Sequence, residues 1–175
     1  MIETLITSKT RIKLLLKFFL NPTNTGYLRS LEQEFGESTN AIRLELNRLE
    51  QANMLISKLD GNKKVFNVNQ QHPLFSEING IVKKYLGINI IVENIISKLG
   101  DIDQVLLTGD LANGKDAEIV DIILIGDVDY QYLNELVGKA EKLIKRRIRY
   151  IVMSDLEYMN YNKNGNDINL VIWNK

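Results

Sequence analysis

The sequence predicts an α+β protein of two domains, helical at the start and sheet-rich at the end. Three observations predict it. Apolar residues recur at helical spacing through the first fifty positions. The turn Asp60-Gly61-Asn62 then separates two short β-prone runs, a hairpin signal. Beyond residue 100, apolar runs of strand length alternate with helix-period segments, the order of a small α/β sheet.

The first segment, TSKTRIKLLLKFFLNP, reads as an amphipathic helix. Ile12, Leu15, Leu16, Phe19 and Leu20 share one face, Ser8 can cap the start and Pro22 stops the end. YLRSLEQEFG gives a second helix with Leu28, Leu31 and Phe35 inward, closed by Gly36. In ESTNAIRLELNRLEQANM, Ser38 or Thr39 caps a third helix whose buried stripe is Ile42, Leu46 and Leu49. That stripe turns Asn40, Arg43, Leu44, Asn47 and Arg48 outward. LISKL and KKVFNVN follow as the two arms of the hairpin.

Three helices and then a hairpin is the order of a winged helix-turn-helix. A helix with a polar, Arg-bearing face suits the DNA major groove. There Arg43 can pair with guanine, and Asn40 or Asn47 with adenine, each bidentate contact discriminating by about 1–3 kcal/mol. Lys58, Lys63 and Lys64 on the hairpin can hold phosphates and fix register. Residues 1–70 carry ten Lys/Arg against seven Asp/Glu, and the remainder twelve against fifteen, so the mild basic bias lies on the same part of the chain. With so few positive charges, one copy binds weakly, and a homodimer on two half-sites would supply the affinity. A protein-interaction module with solvated polar faces is the alternative use of such a domain.

This half also resembles a known family. LITSKTRIKLLLKFFLNP, AIRLELNRLEQANML and GNKKVFNVNQQHPLF resemble the winged-helix repressors of the ArsR-like type, especially those fused to a nucleotidyltransferase-like domain. The resemblance implies that the third helix is the recognition helix and the hairpin the wing. It implies DNA contacts at Ser38, Thr39, Asn40, Arg43 and Asn47 and at Lys63–Lys64. Asn53 departs from the glycine usual after the recognition helix, but asparagine tolerates the left-handed backbone.

HPLFSEINGIVKKYLG and INIIVENIISKLG read as two connecting helices. The first has Leu74, Phe75, Ile78, Ile81, Val82, Tyr85 and Leu86 along one stripe, and the second Ile88, Ile91, Val92, Ile95, Ile96 and Leu99. Such apolar faces belong to a dimer interface or to internal core, and the pattern does not separate the two. The domain limits expected are 1–72 for the winged helix, 73–100 for the connecting and dimerisation helices, and 101–175 for the sheet domain.

In the last part, DQVLLTGD, IVDIILIG, IRYIVMS and INLVIWN read as strands. DYQYLNELVGKAEKLIKRR reads as a helix capped by Asp129, and a loop rich in Asn, Gly and Lys lies before the last strand. With Gly109, Ala112 and Gly114 in TGDLANG, this order resembles the minimal nucleotidyltransferase fold related to DNA polymerase β. Members of that family carry Gly-Ser in the turn and an Asp-x-Asp pair in the next strand, whose alternate carboxylates converge on divalent metal. Here Asp121 matches the second Asp, Ile119 falls on the first, and Asp110 on the serine. Arg149 and Tyr150 lie where a third acid would sit. Glu118 has the wrong alternation relative to Asp121, while Asp110 and Asp116 lie nearby. With only one of the three expected metal ligands kept, these departures from the family pattern predict a retained scaffold without the transfer chemistry, with no metal or other cofactor. It either binds an effector or only dimerises and stiffens the winged helix. The Gly109–Asp110 backbone is the candidate contact for a nucleotide or other small-molecule effector.

Composition narrows the rest. There is no cysteine, and His72 is the one histidine, so thiolate and His-rich metal sites are excluded. His72, beside Pro73, reads as a solvated turn residue. Apolar residues at 45% and charged at 25% are ordinary for a globular protein, no run reaches membrane-spanning length, and MIETLITSKTR lacks a signal-peptide core. The expectation is a cytoplasmic DNA-binding transcriptional regulator, a repressor acting as a homodimer. Its rivals are a metal-dependent nucleotidyltransferase using Asp110 and Asp121, and a protein-interaction adaptor.

Overall fold

The computed structural model describes residues 2–163 and 168–175, and the chain is α+β with two sheets. It forms two compact units, Met1–Tyr85 with Gly114–Asp116, and Leu86–Asn113 with Ala117–Lys175. Residues 73–100, read in the sequence as one connecting region, are therefore divided between them.

In the first unit α1 (Ile2–Leu5) precedes α2 (Lys9–Leu15), which runs on through a wider π-type turn, Leu16–Leu20. Ser8 caps α2, its hydroxyl accepting from the Arg11 backbone N–H at 3.2 Å. The expected one-sided amphipathic helix is not what forms. Leu14 and Phe18 are as buried as Leu16 and Phe19, so burial here is not confined to one stripe. Even Lys17 is buried, its ammonium 2.9 Å and 3.0 Å from the Glu34 carboxylate oxygens.

A two-residue strand, β1 (Gly26–Tyr27), then leads into α3 (Leu28–Phe35), which ends at Gly36 with φ of 63°. α4 (Thr39–Gln51) starts from Ser38, whose hydroxyl accepts from the Ala41 N–H at 3.2 Å. Ile42, Leu46 and Leu49 are buried as the sequence pattern requires. Asn53 takes the left-handed backbone, φ 56°, after the helix. β2 (Leu55–Asp60) and β3 (Lys63–Val68) pair antiparallel with Asp60 opposite Lys63, so the turn itself is Gly61-Asn62, with Gly61 at φ 56°. β1 joins the far side of β3, giving the order β1-β3-β2, a strand too short for the sequence pattern to disclose. α5 (Phe75–Leu86) is tied back to the π-type turn after α2: Phe75 stacks on Phe19 at 6.0 Å, and Asn79 Nδ2 donates to the Phe19 carbonyl at 2.6 Å.

The second unit begins with a continuous helical stretch: α6 (Ile88–Ile91), a π-type turn (Val92–Ile96) and α7 (Ser97–Leu99). Ile88, Ile91, Ile95 and Ile96 are buried, so that part of the apolar stripe is internal core. The sheet has the order β6-β5-β4-β7. β4 (Ile102–Thr108) is followed by the one-turn α8 (Gly109–Ala112), and β5 (Ile119–Gly126) returns antiparallel to it. α9 (Tyr130–Ile144) is capped by Asp129, whose Oδ1 accepts from the Gln131 and Tyr132 N–H groups at 2.8 Å and 3.0 Å. β6 (Arg147–Met153) runs parallel to β5, and β7 (Leu170–Asn174) antiparallel to β4. β5 is central and its residues Ile122–Ile125 are buried, which explains their unbroken apolar run. The expected loop before β7 is a helix in its first part, α10 (Asp155–Lys163). A reciprocal cap starts it, with the Ser154 N–H donating to Glu157 Oε2 at 2.8 Å and the Glu157 N–H to Ser154 Oγ at 3.4 Å. The rest of that loop, residues 164–167, lies outside the described residues.

Candidate nucleic-acid interface

α4 places its polar residues by simple periodicity. With Ile42, Leu46 and Leu49 inward, Asn40, Arg43, Leu44, Asn47 and Arg48 are all exposed. Arg43 Nη1 donates to Asn40 Oδ1 at 3.3 Å, so these two side chains stand together one turn apart. Ser38 is spent on capping the helix, and Thr39 is half-buried at its first position.

Between α4 and the hairpin lies a cleft of ≈ 610 Å³. Arg29, Arg43, Asn47, Lys63 and Lys64 line its polar rim, and its floor includes Tyr27 and Phe66. Four cationic side chains meet there with no carboxylate in the lining. Lys63 Nζ lies 4.6 Å from the Tyr27 ring centroid and Lys64 Nζ 5.1 Å from that of Phe66, so the aromatic floor holds both ammonium groups. Of the residues singled out in the sequence, Arg43, Asn47, Lys63 and Lys64 are brought together here. Lys58, opposite Val65 in the hairpin and exposed, does not line the cleft. Arg29 is not among the residues the sequence points to. Its position in the first turn of α3, next to the unforeseen β1, carries it to the same rim.

Two acids on α4 set the electrostatics. Glu45 is buried and receives Ser8 Oγ at 3.0 Å, Arg11 Nε at 2.8 Å and Nη2 at 3.2 Å, and Arg48 Nη1 at 3.2 Å. Burial pushes its pKa up, but the hydrogen bonds from Arg11 and Ser8, with the charges of Arg11 and Arg48, prevail and hold it below the usual range. One guanidinium nitrogen of Arg48 is thus tied to Glu45, while the side chain stays 54% exposed. Glu50 accepts from Lys64 Nζ at 2.7 Å and Ser57 Oγ at 2.5 Å, and these bonds lower its pKa as well. Only the Glu45–Arg48 spacing of three is a local signal in the sequence; the Ser8, Arg11, Ser57 and Lys64 partners are not.

In the second unit Thr108, Gly109, Asp121, Arg149 and Tyr150 line another cleft, also ≈ 610 Å³. Gly109 (φ 68°) lies against Asp121, and a Cβ at that position would meet Asp121 Oδ2 at 2.7 Å. Asp121 itself is paired. Arg149 Nε donates to Oδ1 at 2.6 Å and Nη2 to Oδ2 at 3.0 Å, and the hydrogen bond and charge of Asp121 raise the Arg149 pKa further. Asp110, in the first turn of α8, is exposed. Among the described residues no group of three or more His, Cys, Asp or Glu side chains is placed to hold a metal ion. No helix among them is long and apolar enough to cross a membrane.

No protein-family model matches the chain, and no curated protein matches it. Among solved structures it is similar to a crystal structure of AF1382 from Archaeoglobus fulgidus, at 17% identity and a TM-score of 0.38, over 54% of this chain and 99% of that one. A likeness at that level carries no argument about fold or function.

Proposed function

We propose that the first unit is a winged helix-turn-helix that binds double-stranded DNA, and that the protein is a sequence-specific transcriptional regulator, a repressor acting by operator occupancy. One observation carries the reading: the cleft between α4 and the hairpin gathers Arg29, Arg43, Lys63 and Lys64, with the Glu50 partner of Lys64 outside its lining, beside the exposed Asn40–Asn47 face. Cations along such a rim neutralise phosphates, and the neighbouring polar face offers donors and acceptors to base edges. Four cations per copy are few, so the proposed working form is a homodimer on two half-sites, in the cytoplasm.

In this reading the second unit is a nucleotidyltransferase-like scaffold that serves dimerisation or effector sensing rather than catalysis. The Asp121–Arg149 pair supports that view, because the one acid retained from the metal-binding pattern is already neutralised by a neighbouring strand. Selection of duplexes from a random-sequence pool tests the whole proposal. A palindromic consensus bound by the full chain is expected, whereas absence of any enriched sequence would overturn it.

A further inference from the structure

At about 100° per residue, Arg43, Asn47, Asn40, Leu44 and Arg48 follow one another around an arc of about 140° on α4. The buried residues Ile42, Glu45, Leu46 and Leu49 occupy the opposite side. Leu44 therefore stands well inside the outward arc, between the two asparagines and Arg48, and it is 52% exposed. It is the one large apolar side chain in that arc. A single exposed leucine is ordinary on a protein surface. This one is flanked by hydrogen-bonding side chains of the kind that read base edges, so it meets whatever those residues meet.

The major-groove edges of the four base pairs present hydrogen-bond donors, acceptors and a single apolar group, the C5-methyl of thymine. Leu44 cannot contribute a hydrogen bond, and against any other base edge it would cover polar atoms without pairing them. We propose that Leu44 is a specificity-determining residue, its side chain packing on a thymine methyl group and selecting a T·A pair within each half-site. The inference rests on the winged-helix reading above and adds to it which base feature the α4 face takes at Leu44.

Deoxyuridine tests this directly, since it differs from thymidine only by that methyl. The tightest duplex from a random-sequence selection is resynthesised with deoxyuridine at each thymidine in turn. Binding of the wild-type chain, Leu44→Ala and Arg43→Ala is followed by fluorescence anisotropy at fixed salt. At one thymidine per half-site, wild type should lose about fourfold in affinity, the equivalent of one methyl group left unburied. Leu44→Ala should bind the thymidine and deoxyuridine duplexes alike, with an unchanged thermal midpoint because the residue is half exposed. Arg43→Ala should keep the thymidine preference. If Arg43→Ala relaxes sequence preference while wild type binds every deoxyuridine duplex like its parent, or if Leu44→Ala keeps discriminating, the Leu44 contact falls and the DNA reading stands. If no duplex is enriched, both fall.

Discussion

Arg149 on β6 stands in parallel register with Asp121 on β5 and closes on its carboxylate through two hydrogen bonds. A bidentate guanidinium engages both oxygens, so a divalent cation approaching Asp121 meets its positive charge and competes with it. Calorimetry with magnesium and each nucleoside triphosphate should show no tight metal-dependent binding by the wild-type chain, and Arg149→Ala should bind magnesium more readily than wild type. Tight metal-dependent triphosphate binding that disappears in Asp121→Ala would restore a catalytic reading of this unit.

On the α4 side, the two kinds of contact should separate by their effect on specificity. Arg43→Ala should reduce discrimination at one base pair by about 1–3 kcal/mol. Lys63→Ala should weaken binding to all duplexes alike and lower the slope of log affinity against log salt by about one. Anisotropy titrations over a salt series distinguish them, and equal non-selective effects from both would remove α4 from the role of reading helix.

Glu45 offers a test of stability. Glu45→Gln removes the charge that holds Ser8, Arg11 and Arg48 around one point. Breaking a fully buried pair costs about 3–5 kcal/mol, but the Arg11 and Arg48 side chains are 37% and 54% exposed, so solvent offsets part of the loss. About 1–3 kcal/mol is expected in urea denaturation. A change below a few tenths would mean that the network contributes nothing.

The helix stripes were legible because burial there follows a period: Ser38, Ile42, Leu46 and Leu49 in α4, or Asp129 at the start of α9, announce themselves within one or two turns. The candidate interface was partly legible for the same reason, since Arg43 and Asn47 point where the stripe leaves room. What escaped has no period. Arg11 and Glu45 meet from distant helices, Arg149 and Asp121 from neighbouring strands, and Arg29 reaches the cleft through a two-residue strand. α10 escaped because its apolar residues follow no face, leaving Leu156 and Met159 exposed. Its one local signal was the Ser154–Glu157 cap spacing.

Glu45 also predicts a pH dependence. Its folded pKa is depressed, so its contribution is complete above the unfolded carboxyl value of about 4.3 and is lost as pH falls through the lower folded value. Glu50, held by Lys64 and Ser57, and Glu157, held by the Ser154 N–H and hydroxyl, act in the same direction. The urea midpoint of the wild-type chain should therefore fall on acidification below about pH 4.5, and less steeply in Glu45→Gln. Parallel curves for the two proteins would contradict the assignment.

Gly109 should not tolerate a side chain. Its φ of 68° opposes Gly109→Ala, and so does Asp121 Oδ2, which would lie 2.7 Å from the added methyl. A loss of about 1–3 kcal/mol is expected from the backbone alone. Denaturation followed by the emission of Trp173, on β7 of the same unit, would register it.

The aromatic floor of the α4 cleft has a consequence for how the hairpin responds to an incoming anion. Lys63 already rests on Tyr27, and Lys64 on Phe66 and Glu50, so neither ammonium waits idle in solvent. An arriving phosphate gains only the difference between itself and these resident partners. The grip of the hairpin is thereby muted in strength, and what it gives in exchange is two charges held in place before the visitor arrives.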